Sequence, residues 1–157
     1  MLILVQYSSL IYKDGLAAEA QPGVVRKLPH VPGIDAAGIV EESSSPLCKK
    51  GDEVVVTSYD LGAAQWGGWG EYIRVPGDWV VPRLSGLTLR EAMILVTAGF
   101  TAAQCVQAFQ LYVVVPAVAE IVLTGRPGGS GCPWVLSLEP FCSRLRVAAY
   151  PPRPHPP

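Results

Sequence analysis

Between Glu120 and Gly131 the chain reads E-I-V-L-T-G-R-P-G-G-S-G. Ile121, Val122 and Leu123 form an apolar, β-prone run, and Gly125, Gly128, Gly129 and Gly131 follow it. A strand feeding a glycine loop can bring backbone N–H groups close to a pyrophosphate and let the next helix pack tightly on its strand. That is the opening of a dinucleotide-binding βαβ unit. An ordinary β-to-loop turn is the competing reading, because a single glycine-rich match has little specificity. Only 26 residues follow Gly131, room for about one further helix and strand.

Three other places carry residues suited to chemistry. Tyr12-Lys13-Asp14 sets a phenol, an ammonium and a carboxylate side by side, and a tyrosine in a cleft can donate to a carbonyl or an amide. Read alone, such a triplet is a surface turn. Asp35, in P-G-I-D, is either a catalytic carboxylate or a post-turn aspartate bonded to nearby backbone. Trp66-Gly67-Gly68-Trp69-Gly70-Glu71-Tyr72 either lines a substrate cleft or packs a barrel with glycine kinks. His30 and His155 have no partners at metal-ligand spacing, and Cys48, Cys105, Cys132 and Cys142 contain no C-x-x-C pair. Neither a zinc site nor a disulfide framework is indicated.

Composition narrows the classes. Half the 157 residues are apolar and 16% are charged, below the ~25% usual for soluble domains. Twelve basic and 13 acidic residues leave a net charge of −1, and the pairs Lys49-Lys50 and Arg26-Lys27 read as solvated turns. No nucleic-acid footprint results. The apolar run at the N-terminus is four residues long and lacks a basic flank, so it reads as a strand and not as a signal peptide or membrane span.

Several elements must position these groups. Strands are expected over 2–7, 36–42, 52–58, 67–75 and 78–81, punctuated by glycine and proline at short spacing. Gly38 inside the second suggests a close backbone approach. This pattern suggests a small antiparallel barrel or sandwich. At Thr88 the character changes. Thr88-Leu-Arg-Glu91 is a capping-box signature that opens a helix, which Gly99 should interrupt before a second helical stretch from about 101 to 109. A strand at 120–124 and the glycine loop then give α/β order. The run Leu111–Ala119 is apolar and β-prone, broken only by Pro116. Pro140 would cost about 3 kcal/mol in a helix interior. The final P-P-R-P-H-P-P is polyproline-like or disordered, with a role as a proline-rich ligand as a further alternative.

In order, Y-S-S-L-I-Y-K-D-G, V-P-G-I-D-A-A-G, G-D-E-V, W-G-G-W-G-E-Y, G-D-W, T-A-G-F-T-A and E-I-V-L-T-G-R-P-G-G-S-G resemble the medium-chain dehydrogenase/reductase superfamily. Within it the chain is similar to the zinc-independent, quinone-oxidoreductase-like branch of the acrylyl-CoA reductase type, in truncated form. The resemblance implies an α+β chain: a partial GroES-like β-barrel domain over 1–87, the beginning of a Rossmann NADP-binding domain over 88–150, and a disordered Pro-rich tail over 151–157. It implies NADPH as cofactor and hydride transfer to the β-carbon of an α,β-unsaturated acyl-CoA, an enone or a quinone. It places Tyr12 near the nicotinamide and Pro127, Gly128, Gly129 and Ser130 at the phosphate loop. It assigns no metal, since Ser8-Ser9-Leu10-Ile11 and Ile34-Asp35 stand where zinc-dependent relatives carry Cys and His-Glu. It further implies a cytoplasmic enzyme, homodimeric in intact relatives, with no nucleic-acid or membrane partner. A non-catalytic barrel remnant acting through protein association is the alternative. Ile11 departs from the family's Asn, and beyond Gly131 only Arg146-Val147-Ala148-Ala149 echoes a second Rossmann strand.

Overall fold

The computed structural model describes residues 1–111, 121–124 and 145–148. Two compact units divide the chain, Met1–Val96 and Thr97–Pro157.

In the first unit, β1 (Leu2–Ser8), β2 (Asp35–Glu42), β3 (Glu53–Thr57), β4 (Tyr72–Arg74) and β5 (Val80–Pro82) form one sheet in the order β4-β1-β2-β3-β5. Every pairing is antiparallel, as the short, turn-punctuated runs predicted. Alternation along the strands builds the core. Ile3, Ala36, Val40, Val54, Val56, Ile73, Val75 and Val80 all point to one side, where they pack with Leu61 and Cys48. On the opposite face Ala37 meets Leu89 and Met93, with Val55 and Val96 at the margin. The central strand β2 is therefore covered on both faces, and its alanines and glycine fit that crowding. At Gly38 the expected close approach is present: a Cβ there would lie 2.1 Å from the Leu4 carbonyl oxygen across the β1–β2 ladder.

Two strands are shorter than expected. Of 67–75, only Tyr72–Arg74 joins the sheet. The Gly67, Gly68 and Trp69 N–H groups donate instead to Val31, Gly33 and Pro32 carbonyls, so this stretch is spent on loop-to-loop bonding. Of 78–81, the first part is a 3-10 turn, Gly77–Trp79, and Pro82 closes the edge strand β5.

Helix α1 (Tyr12–Ala18) follows β1 after three residues, so the 12–15 segment, readable as a short turn or a helical start, is the start of a helix. Helix α2 (Leu89–Leu111) begins where the capping box placed it. The Glu91 N–H donates to Thr88 Oγ1 at 3.2 Å, and the Thr88 N–H donates to Glu91 Oε2 at 2.8 Å. The interruption falls at Val96, whose φ of 2° and ψ of −125° are not helical, and not at Gly99. Over Leu89–Ala108 this helix is long and apolar enough to cross a membrane by length and composition. The break at Val96 leaves pieces well short of the ~20 residues a spanning helix needs.

In the second unit, β6 (Ile121–Thr124) pairs in parallel with β7 (Leu145–Ala148). The expected strand before the glycine loop is present, and Arg146, Val147 and Ala148 of the second-strand echo lie in a parallel partner for it. Parallel neighbours joined by a crossover are the α/β arrangement. The run 111–119 beyond Leu111, the glycine loop and the Pro-rich tail lie outside the described residues.

Candidate functional site

The segment Ser8–Asp14 leaves β1, turns, and enters α1, and two buried carboxylates hold it. Asp14 is 1% exposed, so this member of the Tyr12-Lys13-Asp14 triplet is no surface residue. Its Oδ1 accepts from the Gly33 and Ile34 N–H groups at 3.2 and 2.9 Å, and its Oδ2 accepts from the Ile11 N–H at 2.8 Å. Asp14 thus caps the first turn of its own helix and ties that helix to the 33–34 loop. The signal was in the sequence: an acidic residue in a helix's first turn, where orphan N–H groups gather. Ile11, the N-cap residue, has no side-chain acceptor, so only this half of a capping box forms.

Asp35 is fully buried, and its side chain accepts from two hydroxyls. Ser9 Oγ donates to Asp35 Oδ2 at 2.7 Å, and Thr57 Oγ1 donates to Asp35 Oδ1. Ser8 Oγ donates to the Asp35 carbonyl oxygen at 2.7 Å. Ser9 and Asp35, from the two stretches Ser8-Ser9-Leu10-Ile11 and Ile34-Asp35, are therefore bonded to each other. Among the described residues there is no group of three His, Cys, Asp or Glu side chains able to hold a metal ion.

The aromatic-glycine stretch meets the same segment. Trp69 Nε1 donates to the Ser9 carbonyl oxygen at 3.2 Å. Gly33, at φ +107°, permits this contact, since a Cβ there would lie 2.6 Å from the Gly68 nitrogen. The glycines thus serve loop packing, and the Trp69 ring, 43% exposed, is delivered to the surface beside Ser9. Tyr12 opens α1 with 83% of its surface exposed, and Leu10 is 76% exposed. The result is an exposed phenol and apolar rim on a loop whose underside is locked by buried bonds. Pro127, Gly128, Gly129 and Ser130 lie outside the described residues. The structure therefore describes one half of the predicted site.

In line with one of the two alternatives offered for the aromatic-glycine stretch, its two ends, Trp66 and Tyr72, line a cleft on the first unit. It has a volume of about 490 Å³ and is lined by Lys27, His30, Trp66, Tyr72 and Arg74, among others. Its residues come from four stretches, Leu2, 27–30, 64–66 and 72–74, and no spacing rule links them.

Fold and site together define a GroES-like architecture in the first unit, and the second unit contains a parallel strand pair of the α/β kind. The chain belongs to the alcohol dehydrogenase GroES-like domain family, which matches residues 1–85. Its relatives fall in the medium-chain branch expected above. The quinone oxidoreductase-named YhfP of Bacillus subtilis is 48% identical over 131 residues, covering 83% of this chain and 40% of that protein. A crystal structure of B. subtilis yhfP with NAD bound aligns with a TM-score of 0.83 at 40% identity, over 93% of this chain and 51% of that one. Acrylyl-CoA reductase AcuI of Ruegeria pomeroyi is 46% identical over 129 residues, covering 82% of this chain and 39% of that protein. The yhdH oxidoreductase of Salmonella enterica, in complex with NADP, aligns with a TM-score of 0.89 at 41% identity, over 93% of this chain and 45% of that one. The chain spans about 40% of the length of the curated relatives it matches.

Proposed function

We propose that this chain carries the Tyr12-bearing part of a zinc-independent NADPH-dependent reductase acting on an α,β-unsaturated acyl-CoA, an enone or a quinone. The reading includes a domain division at 87/88, a cytoplasmic setting and a homodimer for the complete enzyme. The observation that carries it is the Ser8–Asp14 segment. It presents a phenol at the head of α1, clear of other groups, on a backbone fixed by Asp14 and Asp35. That exposed phenol suits a donor to a flat carboxamide such as that of a nicotinamide. When bound, the reduced nicotinamide supplies a hydride. Tyr12 would orient the ring by hydrogen bonding, and Trp69 and Leu10 would exclude water beside it. Backbone N–H groups of Gly128, Gly129 and Ser130 would bind the phosphates, as glycine loops do, with Pro127 shaping the loop. With Ser8-Ser9-Leu10-Ile11 and Ile34-Asp35 where the resemblance puts Cys and His-Glu in zinc-dependent relatives, a developing enolate would rely on hydrogen-bond donors.

Titration of nicotinamide fluorescence with the purified chain tests this. Saturable NADPH binding, weakened by Gly128→Trp and by Tyr12→Ala, is the expected result, and NADH should bind more weakly. A folded chain that leaves the NADPH signal unchanged would sink the reading. A second reading, association through apolar surface, draws on exposed Leu10, Leu95, Phe100 and Leu111. Sedimentation as a monomer at micromolar concentration would remove it.

A further inference from the structure

We propose that the cleft bordered by β4 is a separate binding site for a small ligand that joins a planar aromatic ring to an anionic group. Its size, about 490 Å³, is that of a small-molecule site. Two cations, Lys27 and Arg74, line it, and none of its lining residues is a carboxylate. Lys27 is exposed and makes no ion pair among the described residues. Arg74 is held only at 3.4 Å by Glu42, with both side chains about two-thirds exposed, a contact that gives way readily to a better anion. The charge of the cleft is therefore one-sided and available.

The aromatic half of the argument is independent of charge. Trp66 and Tyr72 are 60% and 47% exposed, and both face this one cleft. Large rings left open to water in a shared concavity form a stacking platform for another flat ring. Their supports are fixed. Trp66 Nε1 donates to the Pro29 carbonyl oxygen at 3.3 Å, which sets the edge of the indole. His30 Nε2 bonds the Gly62 carbonyl oxygen at 2.8 Å, which holds the imidazole as part of the wall. Tyr72 sits in the β1–β4 ladder opposite Leu4. A ring plus a nearby anion satisfies both halves, whereas an aliphatic anion meets only the cations and a neutral aliphatic ligand meets neither.

The cleft does not include Tyr12, so this proposal stands or falls apart from the cofactor reading. Isothermal titration of the full chain with AMP as probe, and with adenosine and inorganic phosphate separately, tests it. AMP should bind saturably and at least tenfold more tightly than either part. Trp66→Leu and Lys27→Ala should each weaken AMP at least fivefold while leaving the far-UV spectrum unchanged, since both residues are exposed. Gly128→Trp should leave AMP binding unchanged. No AMP binding, equal binding of adenosine and AMP, or loss of AMP binding in Gly128→Trp with none in Trp66→Leu would each overturn the proposal.

Discussion

Replacing Asp14 should unfasten the loop that carries Tyr12. Asp14→Ala removes the acceptor for three backbone N–H groups. Those of Gly33 and Ile34 are buried, and that of Ile11 is partly buried. Each buried donor left unpaired costs about 1–3 kcal/mol, so two contribute about 2–6 kcal/mol. The Ile11 group, nearer to water, adds at most about 1 kcal/mol. A total near 4 kcal/mol is a large fraction of the ~5–15 kcal/mol that holds a domain folded. Asp14→Asn is the informative companion. Its carbonyl oxygen keeps the Gly33 and Ile34 bonds, and its NH2 group opposes the Ile11 N–H, so the loss should be only about 1–2 kcal/mol. Urea unfolding followed by Trp fluorescence reads both, with Trp66, Trp69 and Trp79 all in the first unit. With a slope of ~2 kcal/mol/M, the midpoint should fall by about 2 M for Ala and by less than about 1 M for Asn. A shift below about 0.3 M for Ala would show that these bonds are not what holds the segment. Equal losses for Asn and Ala would show that charge, and not acceptor geometry, is the operative property.

Three further outcomes follow from local structure. Ile11→Asn supplies the missing side-chain acceptor at the N-cap of α1 and should raise stability by about 1 kcal/mol in the same urea assay. Burial, with a smaller contribution from Asp52, pushes the Cys48 thiol above its ordinary range. The folded chain then holds that proton more tightly than the unfolded one, so this term is intact below pH ~9 and erodes as pH rises beyond it. Peptide mapping after alkylation at pH 8 should find Cys48 modified far more slowly than Cys105 until urea unfolds the chain. The Thr88 backbone N–H, then the Thr88 hydroxyl, hold the exposed Glu91 carboxyl below the usual carboxylate range. A depressed value favours the fold above the ordinary carboxylate pKa and is lost as pH falls through the folded one. The Glu91 side-chain NMR titration should therefore move up toward the ordinary range in Thr88→Ala.

Much of the frame was legible because it rests on local rules. Alternation gave β2 and β3 to within about a residue, the Thr88–Glu91 box gave the start of α2, and Gly38 announced a tight ladder. What escaped is what depends on distant partners. Gly67–Gly70 looks like strand by its flanks, yet the Gly67, Gly68 and Trp69 N–H groups are claimed by carbonyls more than thirty residues away. Asp14 looks like surface beside Tyr12 and Lys13, and only the arrival of the 33–34 loop buries it. The helix break at Val96 sits on a residue that no breaker rule marks. For the site, Tyr12 came from resemblance and the structure places it at the head of α1. The stretch 66–72 offered a cleft lining as one of two readings, but the rest of that cleft, including Leu2, Lys27 and His30, comes from segments that no spacing rule ties to it.

The interlocked backbone around Gly33 and Gly68 also sets how this surface can diversify. With no room for even one methyl group between the two loops, neither can shift without carrying the other. Substitution there meets main chain, which does not yield. Variation in ligand preference must come from the rings and side chains that the loops hold outward, Trp69, Leu10 and Tyr12, while the floor beneath them stays invariant in shape. A library that randomises those three positions should return folded proteins in quantity, and one that randomises the two glycines should return almost none.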